Sequence, residues 1–279
     1  MDAPGIDEWE RALTELLLMI GEGGDASPIR SFEVGFEELG KALKIAGRMA
    51  DGDPINLFKA SVCNDATFDV LRSGGALRPP GSDVPGVFAY LVLTLVVAGQ
   101  AGEDLSLSGA YRAKLSDFSG AARSFADLSG VHRMWLGLER WLEQKKNLGL
   151  PYRQLVLPKI PEGWNHIGYT LKLAFPARWD ETLLTRFLAG KRELIGDVRR
   201  FTAEFAPHVE RASASSGMRD AFDEFRSAFT SGDRFLADHR FWRLALRCTG
   251  RGSRVRDSAS IECAFDEDAR PVFTAVRFD

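Results

Sequence analysis

The chain has 279 residues, of which 45% are apolar, and its formal net charge at pH 7 is −3. This composition supports a full hydrophobic core in one large domain or two smaller ones, and it excludes a general electrostatic attraction to nucleic acid. The three cysteines are widely spaced and form no CxxC or zinc-binding pattern, so we expect no disulfide, no metal or other cofactor, and a reducing cytoplasmic location.

The N-terminal quarter predicts a helical unit. Apolar residues at helical spacing predict helices over 7–20, 32–50 and about 56–71, and Asp7 is the expected cap of the first. Ser73–Pro85 follows, and its prolines and glycines exclude regular structure. This segment is either a linker between the helical unit and the main body or an ordered surface loop.

The longest uncharged apolar run is Pro85–Gly99, in which Val87–Ala98 has Thr94 as its only polar residue. A membrane-spanning helix needs about 20 such residues, so this shorter run indicates a buried core element. Its length favours a helix over a strand, with Pro85 in the first turn and Gly99 at the exit. Because it is apolar on every side, we expect other helices to surround it.

Further helices are predicted after the central run. Their expected ranges are 108–128, 131–147, 180–188, 192–205, 218–230 and 234–248. His166–Pro176 is ambiguous: apolar residues alternate as in a strand, yet some also fit one helical face. We favour a helix there because no partner strand is evident nearby, and we expect Asp180 to cap the helix after it.

The C-terminal residues predict β-strands, unlike the helical segments before them. Ser258–Phe265 and Pro271–Phe278 predict a β-hairpin around a polar loop. Since a lone hairpin is marginal in water, one hypothesis is that it starts a β or α+β domain truncated at Asp279. The predicted fold is a mainly α multi-helix globular bundle around a buried central helix, divided into an N-terminal helical unit (1–72), a main helical body (85–250) and the hairpin (251–279).

A series of arginines is the most suggestive functional feature. Its first three members share one helix face, and the others continue into a glycine-containing loop: Arg240, Arg243, Arg247, Arg251, Arg254 and Arg256. Such a series could contact the phosphates of DNA or RNA. Four more basic residues lie nearby in sequence: Lys191, Arg192, Arg199 and Arg200. The alternative is a solvated helix face paired with Asp233, Asp238 and Asp257.

No complete catalytic motif is present in the sequence. None of the four histidines lies in HExxH or beside a cysteine pair, and the Asp- and Gly-rich turns lack calcium, dinucleotide and Walker patterns. An enzyme remains the second hypothesis, because catalytic groups need only converge in space. Its site would be assembled from dispersed residues: His166, Tyr169, Asp180 and Glu224.

One segment resembles a known class of proteins. Leu155–Leu184 contains Leu-Pro, Ile-Gly-Tyr, Ala-Phe-Pro and Arg-Trp-Asp before an apolar helix. It looks like segments in poorly characterised subunits of bacterial multi-gene anti-phage defence systems. The resemblance covers about a tenth of the chain and carries no catalytic residue across. It implies a scaffold or nucleic-acid-sensing subunit, so we expect protein partners, DNA or RNA as a further partner, and no membrane.

Overall fold

A computed structural model of the protein describes residues 4–21, 26–48, 52–100, 108–120, 127–159, 168–211, 214–232, 236, 239–249, 259–265 and 271–278. The chain forms two compact units, Met1–Phe175 and Pro176–Asp279. The helices of unit 1 are α1 Ile6–Leu18, α2 Phe36–Ile45, α3 Pro54–Val62, α4 Asp65–Ser73, α5 Phe88–Gln100, α6 Ser108–Ser119, α7 Ser129–Asn147 and α8 Gly168–Leu173. Its strands are β1 Phe32–Glu33 and β2 Ala174–Phe175. Mainly helical structure is thereby confirmed.

The predicted buried central helix is confirmed as α5. Its side chains from Phe88 to Ala98 are buried, except for the half-buried Tyr90. Helices α1, α3, α4, α6, α7 and α8 all pack against α5. The helix is apolar around its whole circumference, so each of its faces needs a neighbour that removes it from water.

The predicted ends of the central helix are wrong. Helix α5 begins three residues after Pro85, and Gly99 lies inside its last turn. The carboxylate of Glu10, on α1, takes the place of a local cap. It accepts hydrogen bonds from the backbone N–H groups of Gly86, Phe88 and Ala89 at 2.6, 3.0 and 2.6 Å. Burial raises the pKa of Glu10 although these three hydrogen bonds oppose the shift.

Thr94 is the centre of a buried polar network that joins four helices. Its Oγ1 lies 3.2 Å from Oγ1 of Thr170 on α8, and that hydroxyl also accepts a 3.0 Å hydrogen bond from Nε1 of Trp135 on α7. The hydroxyl of Tyr111 on α6 donates to the carbonyl of Thr94 at 2.8 Å. Polar groups at such depth need partners, and the network therefore ties α6, α7 and α8 to one level of α5.

The segment 73–85 is an ordered surface loop rather than a linker. The N–H of Arg78 donates to the carbonyl of Pro85 at 2.8 Å, which closes the loop. The Arg78 side chain binds Asp7 at 2.7 Å, and the Tyr152 hydroxyl donates to the Asp83 carbonyl at 2.8 Å. Because α1 packs on α5 and α4 packs on α7, both sides of the loop belong to unit 1. The division between units thus differs from the sequence-based one.

Several predicted helices have other bounds in the structure. The predicted helix 56–71 is two helices, α3 and α4, because the side chain of Asn64 caps a new start. The cap of α1 is Gly5 with Glu8, while Asp7 lies within the helix. In the ambiguous segment, 168–173 is helical, and Ala174 and Phe175 pair in parallel with Phe32 and Glu33. That partner strand comes from the start of the chain, too far away in sequence to be recognised.

Unit 2 contains the helices α9 Arg178–Leu188, α10 Val198–Arg211, α11 Ser216–Thr230 and α12 Arg240–Cys248, with a short 3₁₀ helix at Arg192–Gly196. The strands β3 Ala259–Phe265 and β4 Pro271–Phe278 run antiparallel. The residues between these strands lie outside the described part, so the hairpin and its continuation into a larger domain stay predictions. None of the described helices combines the length and apolar content needed to cross a lipid bilayer.

Candidate nucleic-acid interface

An aromatic core determines how α12 lies in unit 2. Phe241 and Trp242 are fully buried, and Trp242 stacks on Phe225 of α11 with ring centroids 5.2 Å apart. Phe201 of α10 meets Trp242 edge-on at 5.2 Å. Leu244 is buried on the same helix. This packing fixes the rotation of α12, so the arginines at i, i+3 and i+7 share the remaining faces.

The beginning of α12 is capped by His239. Its Nδ1 accepts a hydrogen bond from the backbone N–H of Phe241 at 3.3 Å, and its ring lies 5.5 Å from that of Phe225. An imidazole nitrogen that accepts a hydrogen bond carries no proton. His239 therefore serves a structural role here, satisfying an N–H group that the helix itself cannot pair.

Arg240, the first arginine of the series, is bound by a carboxylate of unit 2. Oε2 of Glu224, on α11, accepts from both Nε and Nη2 of Arg240 at 3.0 and 2.7 Å. The Arg240 side chain is 19% exposed and that of Glu224 is 44% exposed. Two guanidinium N–H groups on one oxygen make a directional contact, and this contact fixes the orientation of the Arg240 head group.

The other arginines of the series differ in exposure. Arg243 is half-buried, whereas Arg247 is exposed in the last turn of α12. A positive charge at this end of a helix is stabilised by the helix dipole. Arg251, Arg254 and Arg256 lie outside the described residues. From His239 to Arg256 the sequence contains six arginines and no aspartate or glutamate, although the whole chain is net negative.

Two of the four basic residues near α10 share a carboxylate. Glu204 accepts from Nζ of Lys191 at 3.0 Å and from Nε of Arg200 at 2.8 Å. These hydrogen bonds hold the pKa of Glu204 below its usual value. Arg192 and Arg199 are exposed. Unit 2 thus contains two glutamates, Glu204 and Glu224, that each accept hydrogen bonds from basic side chains.

The residues that the enzyme hypothesis names, where the structure describes them, each contact partners outside that set. Asp180 is buried and accepts from Ala177 N at 3.0 Å, from Ser215 N at 3.0 Å and from Ser215 Oγ at 2.6 Å. Burial raises the pKa of Asp180 to about 6. Ser215 is itself the cap of α11, so Asp180 joins the starts of α9 and α11. The prediction that Asp180 is the N-cap of α9 is wrong. Asp180 lies in the first turn of that helix, and its carboxylate accepts from the N–H of the actual N-cap residue, Ala177.

Two other members of that hypothesis, Tyr169 and Glu224, have partners of their own. Tyr169 belongs to unit 1 and stacks on the ring of His132 at 4.8 Å. Glu224 holds Arg240, and His166 lies outside the described residues. Among the described side chains, no three of His, Cys, Asp or Glu are grouped as metal ligands. Burial raises the pKa of Cys248 to about 11, which suppresses thiolate formation near neutral pH.

Sequence reasoning missed the partners of several glutamates, among them Glu10, Glu204 and Glu224. Glu10 binds a helix start more than seventy residues away, Glu224 binds Arg240 on another helix, and Glu204 binds Lys191, which precedes its own helix. The local sequence around Glu10 and Glu224 does not indicate such partners, because these contacts depend on how the helices pack. Comparisons with family models, curated proteins and solved structures find no match to this chain.

Proposed function

We propose that this protein is a non-catalytic recognition subunit that binds nucleic acid through the arginine series of unit 2. The observation that carries the proposal is the position of Arg247. It is exposed at the end of a helix whose opposite face is held in an aromatic core, and the sequence beyond it adds Arg251, Arg254 and Arg256 without an intervening carboxylate.

The chemistry favours phosphates as the ligand groups. Guanidinium groups bind phosphate oxygens through paired N–H donors and stay charged at physiological pH. Four phosphate contacts, one each from Arg247, Arg251, Arg254 and Arg256, would give a slope of about −3.6 in a plot of log K against log salt concentration, and a loss of about 10² in affinity between 50 and 200 mM salt. Because the chain as a whole is acidic, binding depends on this local cluster rather than on net charge.

A salt titration of binding tests the proposal. Fluorescence anisotropy with labelled 20-mers of duplex DNA, single-stranded DNA and RNA would be recorded for the wild type, for Arg247→Glu and for Arg243→Glu combined with Arg247→Glu. Arg140→Glu is the matched control, since Arg140 is exposed on α7 in unit 1. We expect binding at low salt, a loss of at least tenfold for the Arg247 variants and little change for the control.

Two outcomes would remove the proposal. One is the absence of binding to all three probes at the lowest salt concentration. The other is equal binding by the wild type and by folded Arg247 variants, with folding judged by circular dichroism. Membership of a larger assembly, and a role in anti-phage defence, rest on the resemblance of 155–184. Purification from the native host, with identification of co-purifying proteins and nucleic acid, addresses both.

A further inference from the structure

The last turn of α7, in unit 1, contains a buried lysine. Lys145 is only 1% exposed. Its Nζ lies 4.8 Å from the ring centroid of Trp141 and 4.9 Å from that of Tyr152, and these two rings meet edge-on. Among the described residues, no carboxylate forms an ion pair with Lys145 and no acceptor forms a hydrogen bond with its Nζ. A buried charge is otherwise almost always paired, because removing it from water is costly.

A second buried donor lies beside this lysine. Trp141 is 3% exposed, and its Nε1 has no hydrogen-bond acceptor in the described part of the chain. Trp141 and Lys145 are four residues apart and share one helix face. Because Nζ lies over the ring that carries Nε1, the two donors belong to one small region. The ring faces stabilise the ammonium in part, but they offer nothing to the indole N–H at the ring edge.

The turn that follows α7 fixes these groups in place. The N–H of Leu150 donates to the carbonyl of Lys145 at 3.1 Å, and Gly149, with φ +73°, allows the chain to turn there. Backbone hydrogen bonds of 2.8 Å then tie the next residues to the end of α1: Ile20 to Pro151, and Arg153 to Leu18. The ammonium, the indole and the Tyr152 ring are therefore held in position by the fold itself.

We propose that Lys145 and Trp141 form a binding site for a small monovalent anion of the halide class, held by Nζ and Nε1. One negative charge neutralises the single buried ammonium, whereas a divalent ion would leave a buried charge uncompensated. The positive edge of the indole favours an anion at Nε1. Burial of both side chains excludes large organic anions. The site lies in unit 1 and is independent of the function proposed for unit 2.

Nuclear magnetic resonance of the indole N–H groups tests the site directly. The full chain, labelled with ¹⁵N-tryptophan, would be titrated with sodium chloride against sodium gluconate at constant ionic strength. We expect the Trp141 signal, identified by its absence in Trp141→Phe, to shift and saturate. Trp9 and Trp242 are internal controls, because their Nε1 atoms are also buried without an acceptor but no lysine is recorded over either ring in the described part. Their signals should stay in place.

Thermal unfolding in the same salts measures the linked stability. An ion that binds only the folded chain raises Tm by about 3–6 °C for each tenfold increase in chloride concentration above Kd. Lys145→Met keeps the length of the side chain, removes its charge and should abolish this rise. Lys146→Met is the matched control, since Lys146 is the exposed neighbour whose Nζ donates to Gln154 at 3.3 Å. It changes the net charge equally and should keep the response.

The possible results decide between an anion site and a lysine held by the two rings alone. A saturable shift of the Trp141 signal, together with a chloride response that Lys145→Met loses and Lys146→Met keeps, supports the site. An unmoved Trp141 signal, or an equal chloride response in the wild type and Lys145→Met, overturns it. Should Lys145→Met be unfolded by circular dichroism, Trp141→Phe gives the comparison, because it keeps a ring and removes only the N–H donor. Its chloride affinity should fall about fivefold, and an unchanged affinity would refute the site.

Discussion

The tether between Glu10 and the start of α5 yields the sharpest stability prediction. Replacement of Glu10 by alanine removes the acceptor of hydrogen bonds from three backbone N–H groups. The hydrogen bonds from Phe88 and Ala89 are buried, and the one from Gly86 is partly buried. Glutamine keeps one acceptor oxygen but turns an NH₂ group toward the same donors. We therefore expect both variants to be destabilised, and Glu10→Ala to be destabilised more.

The magnitude follows from those hydrogen bonds. A buried donor left without a partner costs about 1–3 kcal/mol, so two of them give about 2–6 kcal/mol for Glu10→Ala. Burial of the carboxylate itself costs free energy, as its raised pKa indicates, and this cost is recovered when the group is removed. We expect about 3 kcal/mol for Glu10→Ala and about half of that for Glu10→Gln.

Urea unfolding combined with hydrogen exchange would measure this effect within unit 1. The amides of Phe88 and Ala89 should lose protection first, because they donate to Glu10. Glu15→Gln is the control, since Glu15 is an exposed residue of the same helix and surface changes usually shift stability by less than about 0.5 kcal/mol. If Glu10→Ala and Glu15→Gln unfold at the same urea concentration, the tether is not a source of stability and the reasoning is wrong.

Three further predictions concern other buried contacts. Gly130→Ala places a Cβ against the backbone of α4, within 2.7 Å of the Arg72 carbonyl, so we expect a loss of at least about 3 kcal/mol instead of the usual helical gain. Gly81→Ala, with open space around it, is the control in the same urea assay, and equal stability of the two variants would contradict the contact. Thr94→Val removes the hydroxyl that meets Thr170 and should cost about 1–2 kcal/mol; unchanged stability would show that the network adds nothing. For Asp180, burial raises the pKa in the folded state from 3.8 to about 6, so the folded protein retains a proton that the unfolded chain has released. The resulting contribution, about 3 kcal/mol, is fully present below about pH 4 and is lost as pH rises to about 6. The difference in free energy of unfolding between wild type and Asp180→Asn should follow that course, and an opposite slope between pH 4 and 6 would contradict it.

The strongest sequence signals were those of burial and periodicity. The run Val87–Ala98 is uniformly apolar, and this alone predicts an enclosed helix because no other arrangement hides all of its sides from water. The helices α7 and α11 follow from apolar spacing in the same way. The ends of α5 were predicted less accurately: the helix begins three residues after Pro85, where the distant carboxylate of Glu10 binds the first N–H groups, and it continues past Gly99 to Gln100.

The candidate site was likewise predicted only in part from the sequence. The amphipathic pattern of Arg240–Cys248 placed the arginines on one helix, and the structure shows the opposite face buried among aromatic rings. The pattern did not indicate that Glu224 binds Arg240, since charged residues on two different helices have no fixed spacing in sequence. A charge series alone therefore overstates how many of its members are available to a ligand.

The amino-acid sequence by itself determined the helical class of this protein, its enclosed central helix and the segregation of arginines to one face of α12, because local propensity and hydrophobic pattern act over one or two helical turns. Only the tertiary structure decided the carboxylate partners, the pairing of Phe32–Glu33 with Ala174–Phe175 and the place of 73–85 within unit 1. These features join residues far apart in the chain, and such contacts exist only after the helices have packed.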